Sequence, residues 1–344
     1  MNTFRPYWVL FLVIIFFACS KEGIELFEGF RRPTYFPASA YDFTDNKVTA
    51  SGFSLGKMLF HDSTLSIDNS TSCASCHMQS AAFTHHQHNL SHGLNGSLTQ
   101  RNSPPIMNLA WGNTFMWDGS VASLDKQPLR PLTSPIEMGE TVPGVLKKLN
   151  SSSMYKKMFF DAFGTPVATE DRMLKALSQF MVMLISNNAK YDSVKRGQAT
   201  FTEEENAGYL VFQNKCNACH TEPLFTDNSF RNIGLPLGEL KDSGRISFTK
   251  LASDFNRFKV PSLRNLSYTS PYMHDGRFNS LDKVFNHYQS GIANMVNIDP
   301  ALQNNGQIGI RLGPTERKNL LAFLNTLNDP SFVSNPKFSR DMNH

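Results

Sequence analysis

Apolar residues fall first in one continuous run, Tyr7 to Ala18, and thereafter recur at the spacing of helices rather than in strand-like alternation. Leu55, Met58 and Leu59 share one face of a predicted helix over Ser54–Phe60. Met173, Leu174, Leu177, Met181 and Leu184 line a second, over Thr169–Ile185, with Thr169 as its N-cap. Thr202 and Glu205 form a capping-box pattern that opens a third. Leu281, Val284, Phe285 and Tyr288 make a stripe behind Ser280, and Glu316–Leu327 closes the chain with a last helix. Between them lie Gly-, Pro- and Asn-rich stretches such as Gly93–Pro105 and Asn228–Ser247. The pattern predicts a mainly α protein with long irregular loops. Its Met-rich helix reads as core rather than as a source of ligands.

Loops of that length count against a helical assignment unless something large orders them. The cysteines suggest what that is. Of five in the chain, four form two copies of Cys-x-x-Cys-His: Cys73, Cys76 and His77, then Cys216, Cys219 and His220. This is the attachment signature of c-type haem. Two thiols add across the vinyl groups, and the adjacent histidine becomes the proximal iron ligand. Zinc knuckles also use Cys-x-x-Cys pairs, but usually place them close in sequence. A thioredoxin-like motif needs no following histidine. With only Cys19 left over, the cysteine count argues against a disulfide framework. Two covalent haems are expected.

The N-terminus points to export. Arg5 is the one charged side chain before the apolar run, which is shorter than the roughly 20 residues a membrane-spanning helix needs. Residues 1–18 read as a lipoprotein-type signal peptide, with lipidation at Cys19. A signal peptide cleaved nearby and an uncleaved anchor are the alternatives. Each of these places the folded chain on the periplasmic side of a bacterial envelope. Residues 19–45 read as a tether and lead-in. The polar stretch Tyr191–Ala199 divides the remainder into two haem domains, 46–195 and 196–344. Net charge is +4 with no block of Lys or Arg, so nucleic acid is not a suggested partner.

The segments Arg101–Ser120, Pro135–Gly139, Phe258–Phe278 and Leu281–Tyr288 resemble those of the bacterial diheme cytochrome c peroxidases. That family includes a tryptophan-modifying branch. The resemblance covers roughly Gly52 to Leu327. It implies two cytochrome c-like domains, with peroxide reacting at the N-terminal haem and electrons entering at the C-terminal one. Trp117 matches the tryptophan between the haems. Glu137 matches the carboxylate over the open haem face, suited to general acid–base work, and Gln127 matches a second position in that pocket. His92, in a loop that also holds His85, His86 and His88, is nearest the position of a displaceable sixth ligand of the first haem. Tyr288 stands where ordinary family peroxidases have a methionine ligand of the second haem; Met273 is the alternative ligand. Asn102, Thr269 and Pro271 match the ligands of an interdomain calcium ion. Arg264 is a candidate partner for a haem propionate, or else part of an ordinary ion pair.

The leading functional expectation is reduction of hydrogen peroxide to water with electrons from a small cytochrome c-like donor. A second is peroxide-dependent oxidation of a protein or organic substrate through oxidising equivalents shared by the two haems, which Tyr288 supports. A third is a diheme electron carrier without catalysis. A homodimer is left open.

Overall fold

The computed structural model describes residues 27–304 and 306–340. The apolar run and Cys19 lie outside the described residues, as do the signal-peptide and lipidation readings. Among the described residues no helix is long and apolar enough to cross a membrane.

The first half contains α1 (Ala50–His61), α2 (Cys73–Cys76), α3 (Leu129–Thr133), α4 (Val142–Ser151), α5 (Ser153–Phe163) and α6 (Glu170–Val182). The Thr49 hydroxyl caps α1 by accepting from the Gly52 amide, and Thr169 caps α6 by accepting from Arg172. These two helices pack closely because Gly56 has no side chain: a Cβ there would lie 1.9 Å from the Ala176 carbonyl oxygen. The pair α4–α5 was not singled out from sequence. Its buried positions, Val145, Leu149, Tyr155 and Phe159, are interrupted by exposed Met154 and Phe160, which blurs the helical stripe.

The second half contains α7 (Lys190–Lys195), α8 (Glu203–Lys215), α9 (Ile246–Thr249), α10 (Leu281–Asn286), α11 (Pro314–Asn325) and α12 (Pro330–Val333). At the start of α8 the Thr202 hydroxyl accepts from the Glu205 amide while the Glu205 carboxylate accepts from the Thr202 amide. Helices α8 and α11 form the main packing unit of this half. Gly208 repeats the device of the first half, since a Cβ there would lie 1.8 Å from the Asn319 carbonyl oxygen. The short strands β1 (Phe230–Arg231) and β2 (Phe258–Lys259) pair antiparallel, with Phe230 opposite Lys259.

Each half has an apolar core. Phe60, Phe83, Phe159, Phe180 and Met173 belong to the first, and Tyr191, Phe212, Phe225 and Phe323 to the second. The chain does not partition cleanly between them. Phe332 and Phe338, near the C-terminus, return to the first core, and Tyr191, in the stretch read as a polar boundary, is fully buried in the second. The lead-in is also more than a tether. Phe36 is 2% exposed and meets Trp111 edge-on at 4.9 Å, and the Trp111 indole donates to the Pro37 carbonyl at 2.9 Å.

Arg264, the candidate for a haem propionate or an ordinary ion pair, is 0% exposed. Its guanidinium makes a bidentate pair with Asp192 at 2.8 and 3.0 Å and donates twice to the Pro223 carbonyl, at 2.8 and 3.1 Å. The rings of Phe36, Tyr191 and Phe225 surround it. This is the ordinary ion pair of the two sequence readings, and it joins the lead-in, α7 and the loop after the second haem motif. Replacing Asp192 by Ala would strand a buried cation and should destabilise the fold by about 3–5 kcal/mol. Chemical denaturation of wild type and variant would measure that loss.

Candidate active site

Helix α2 is one turn long and carries both cysteines of the first motif. The His77 amide donates to the Cys73 carbonyl at 2.9 Å, which brings the histidine round beneath the pair. Its Nδ1 donates to the Phe83 carbonyl at 2.8 Å, leaving the Nε2 lone pair for a metal. Burial lowers the His77 pKa to about 4, so the imidazole is neutral at physiological pH. Burial likewise pushes the Cys73 thiol up to about 12 and the Cys76 thiol up to about 11. These are enclosed sulfurs rather than free thiolates.

His77 opens on a cavity of about 910 Å³ that Trp117, Gln127 and Glu137 also line. Glu137 reaches it from a tight loop, in which the Gly139 amide donates to Ser134 O at 2.8 Å and the Met138 amide to Pro131 O at 3.2 Å. Burial raises its carboxyl above the usual carboxylate range, while the Ser134 hydroxyl and Arg130 act in the opposite direction. Its charge also raises both thiols of the first motif, so Glu137 lies close to the attachment site. Gln127, at the end of a single 3₁₀ turn, contacts the Met116 sulfur at 3.7 Å. Trp117 is held by its indole N–H, which donates to the Asn102 carbonyl at 2.8 Å. The Trp117 carbonyl accepts from the Lys259 amide at 2.7 Å, so the tryptophan is fixed from both halves of the chain.

The second motif follows the last turn of α8, with the Cys216 amide donating to Phe212 O at 2.8 Å. His220 Nδ1 is 3.2 Å from the Phe225 carbonyl and 3.1 Å from the Pro261 carbonyl, again leaving Nε2 free. Tyr288 sits in a π-helical turn, His287–Gly291, that continues α10. Its phenol pKa is raised by burial and by the nearby Cys219 and Cys216 sulfurs, with no hydrogen bond contributing. A half-buried phenol with no hydrogen bond among the described residues, beside an attachment pair, is suited to meet a metal.

Residues 50–200 match the model of the family described as "Di-haem cytochrome c peroxidase". The methylamine utilization protein MauG of Methylorubrum extorquens is 33% identical over 93% of this chain and 89% of its own length. The chain belongs to the di-haem cytochrome c peroxidase family. Cytochrome c peroxidase Ccp of Escherichia coli is 33% identical over 72% of this chain and 55% of its own length. The crystal structure of a MauG-like protein associated with microbial copper homeostasis superposes with a TM-score of 0.81 at 30% identity, covering 90% of this chain and 97% of that one.

The family carries two c-type haems, and both sites fit them. At each, paired enclosed sulfurs precede a histidine whose Nδ1 is already occupied. The first site also has a cavity within the range of about 300–1,000 Å³ usual for cofactor pockets. His77 and His220 would each hold a haem iron, and each haem would supply a redox-active metal there. As a di-haem peroxidase, the chain is a peroxidase-class oxidoreductase, which sets aside the non-catalytic carrier.

The other sequence-selected residues are placed less uniformly. His92 does not line the cavity: its exposed ring meets His88 edge-on at 4.9 Å, although its carbonyl lies 3.9 Å from the Cys76 sulfur. Met273 is in a left-handed turn, φ +76°, next to His274, whose ring stacks on Phe258 at 3.7 Å. That turn faces the first half, where the Asn102 amide donates to the His274 carbonyl at 2.7 Å. Asn102, Thr269 and Pro271 are all buried near this junction.

Sequence reading missed the ion network behind Trp117. Arg101 pairs with Asp118 at 2.8 Å and with Asp242 at 2.6 Å, and Arg245 donates to the Asp118 carbonyl at 2.7 Å. The only available signal was the charge next to Trp117; its partners are remote in sequence. The loop of Glu137 is similarly pinned by a distant residue, since a Cβ at Gly93 would lie 2.0 Å from Ile136 O and 2.9 Å from the Glu137 Cα. Gly93→Ala should cost about 1–3 kcal/mol through overpacking. By displacing that loop it should also lower peroxide turnover per haem, measured on protein with full haem content.

Proposed function

We propose that this chain reduces hydrogen peroxide to water in the cavity beside His77. Its electrons come from a small cytochrome c-like donor, enter at the haem of His220 and pass by way of Trp117. One observation carries the reading: a single cavity collects His77, Trp117, Gln127 and Glu137. Reduction of hydrogen peroxide to two waters consumes two electrons and two protons. When bound, the haem supplies the iron at which the O–O bond is cleaved.

Glu137 manages the proton in that cleavage. As a carboxylate it takes a proton from the peroxide oxygen nearer the metal, and as a carboxylic acid it returns the proton to the departing oxygen. Its raised pKa suits both halves of that exchange. Gln127 orients the peroxide through its amide, and the Asn102 hydrogen bond holds the Trp117 π-system in place between the two sites. Without His92 as a ligand, the first haem would be open to peroxide and need no prior reductive activation. The buried Asn102 amide donates through Nδ2 to the Asn89 carbonyl at 3.0 Å. Its amide oxygen and the carbonyls of Thr269 and Pro271 would hold the proposed calcium ion, which favours hard oxygen ligands. The two haem domains are assigned to residues 46–195 and 196–344, with the whole exported and anchored through Cys19.

Glu137→Gln should lower turnover by about 10²–10⁴-fold, the range of general acid–base contributions. Haem content should be unchanged. In the wild type, activity should rise with pH as Glu137 loses its proton, along a limb above the ordinary carboxylate range. That limb should be missing from the variant. Steady-state peroxide consumption with a reduced cytochrome c measures both, and unchanged turnover would remove the assigned role.

A second reading, peroxide-driven oxidation of an organic or protein substrate, is favoured by the position of Tyr288. A phenolate ligand would favour ferric iron and lower the potential of the second haem, whereas methionine raises it. A low-potential second haem accepts electrons poorly from an ordinary cytochrome c. Tyr288→Met should therefore raise that potential and increase turnover with a cytochrome c donor. Spectroelectrochemical titration reads the first effect; a potential that does not move would place the sixth ligand elsewhere.

A further inference from the structure

Lys259 is a cation in the wall of the first cavity with no carboxylate in ion-pair contact among the described residues. It lies on β2, with its backbone amide on the Trp117 carbonyl at 2.7 Å. The side chain passes the rings of Phe115 and Phe230, with Nζ 5.6 and 5.8 Å from their centroids, and donates to the Thr114 carbonyl. That uses one of three ammonium donors. Asp118, the carboxylate whose charge acts on it, is committed to Arg101 at 2.8 Å, and Arg245 adds repulsion. Burial with these neighbours lowers the Lys259 pKa to about 8. A partly buried cation is costly unless an anion reaches it, and Lys259 lines the cavity that His77 also lines.

We propose that Lys259 is the counter-ion of a propionate of the haem held by His77, and that it fixes the edge of that haem next to Trp117. The haem is the expected occupant of this cavity, and its propionates are its anionic groups. Because His220 is not among the lining residues, the assignment is to the first haem. Lys259 is thus a positioning residue. It holds the cofactor edge against the same short strand that holds Trp117, and its charge makes the first haem easier to reduce. This inference rests on family membership supplying the haem, not on the peroxidase chemistry proposed above, so either can fail without the other.

The test uses the diheme holoprotein with Lys259→Met, which keeps the length of the side chain and removes the charge, and Lys259→Arg, which keeps the charge. In the Met variant the reduction potential of the first haem should fall while that of the second stays in place. The propionate bending mode in the resonance Raman spectrum should shift as its hydrogen bond is lost. The Arg variant should hold both near wild type. An unmoved potential and Raman mode in the Met variant would overturn the proposal. So would an equal shift of both haems, which would indicate general distortion. Should the Met variant fail to incorporate haem, the Arg variant decides: wild-type spectra support the charge requirement, and loss of haem there too overturns it.

Discussion

Arg101 is the constraint on which the geometry between the two haem sites depends. Its planar guanidinium reaches Asp118 on one side and, through Nε and Nη2, Asp242 on the other at 2.6 and 3.0 Å. A bidentate pair fixes direction as well as distance. Asp118 follows Trp117 directly, so the network tethers the tryptophan to a loop of the second half. The Asn102 carbonyl takes the indole N–H and the Lys259 amide takes the Trp117 carbonyl. Between them these contacts leave the ring little freedom to turn. Partly buried charges of this kind are sensitive to losing a partner, because the remaining charge is left in a medium that solvates it poorly.

The two haem-attachment motifs are chemically alike but their surroundings are not. Near His77 the polar groups are a carboxyl with a raised pKa, an amide and a lysine, all open to one cavity. Near His220 the notable group is Tyr288, half-buried and with no hydrogen bond from its hydroxyl among the described residues, while Arg231, beside Cys219, is held by Asp227 at 2.6 Å and Asp299 at 3.0 Å.

The same helical device supports both. In each half a glycine, Gly56 or Gly208, lets one helix lie directly against the backbone of another. The motif-bearing segments follow α1 and α8 and take their position from those pairs. The halves are nonetheless interlocked, since Phe332 and Phe338 pack in the first core and Arg264 ties the lead-in to α7. Loosening one haem site should therefore be felt in the other half.

Sequence by itself determined the cofactor attachment, the helical class and the caps at Thr169 and Thr202, because each is written in residues a few positions apart. Motif order also pointed to Trp117, Gln127 and Glu137, which the fold brings to one cavity. What it did not contain was the pairing of distant charges. Arg264 looked equally suited to a propionate or a carboxylate, and only packing showed that Asp192 had taken it. His92, whose carbonyl lies 3.9 Å from the Cys76 sulfur, is not among the residues that line the cavity. Local patterns record torsional preference and short-range spacing. Which buried charge is satisfied, and by what, is decided only when segments far apart in the chain exclude water together.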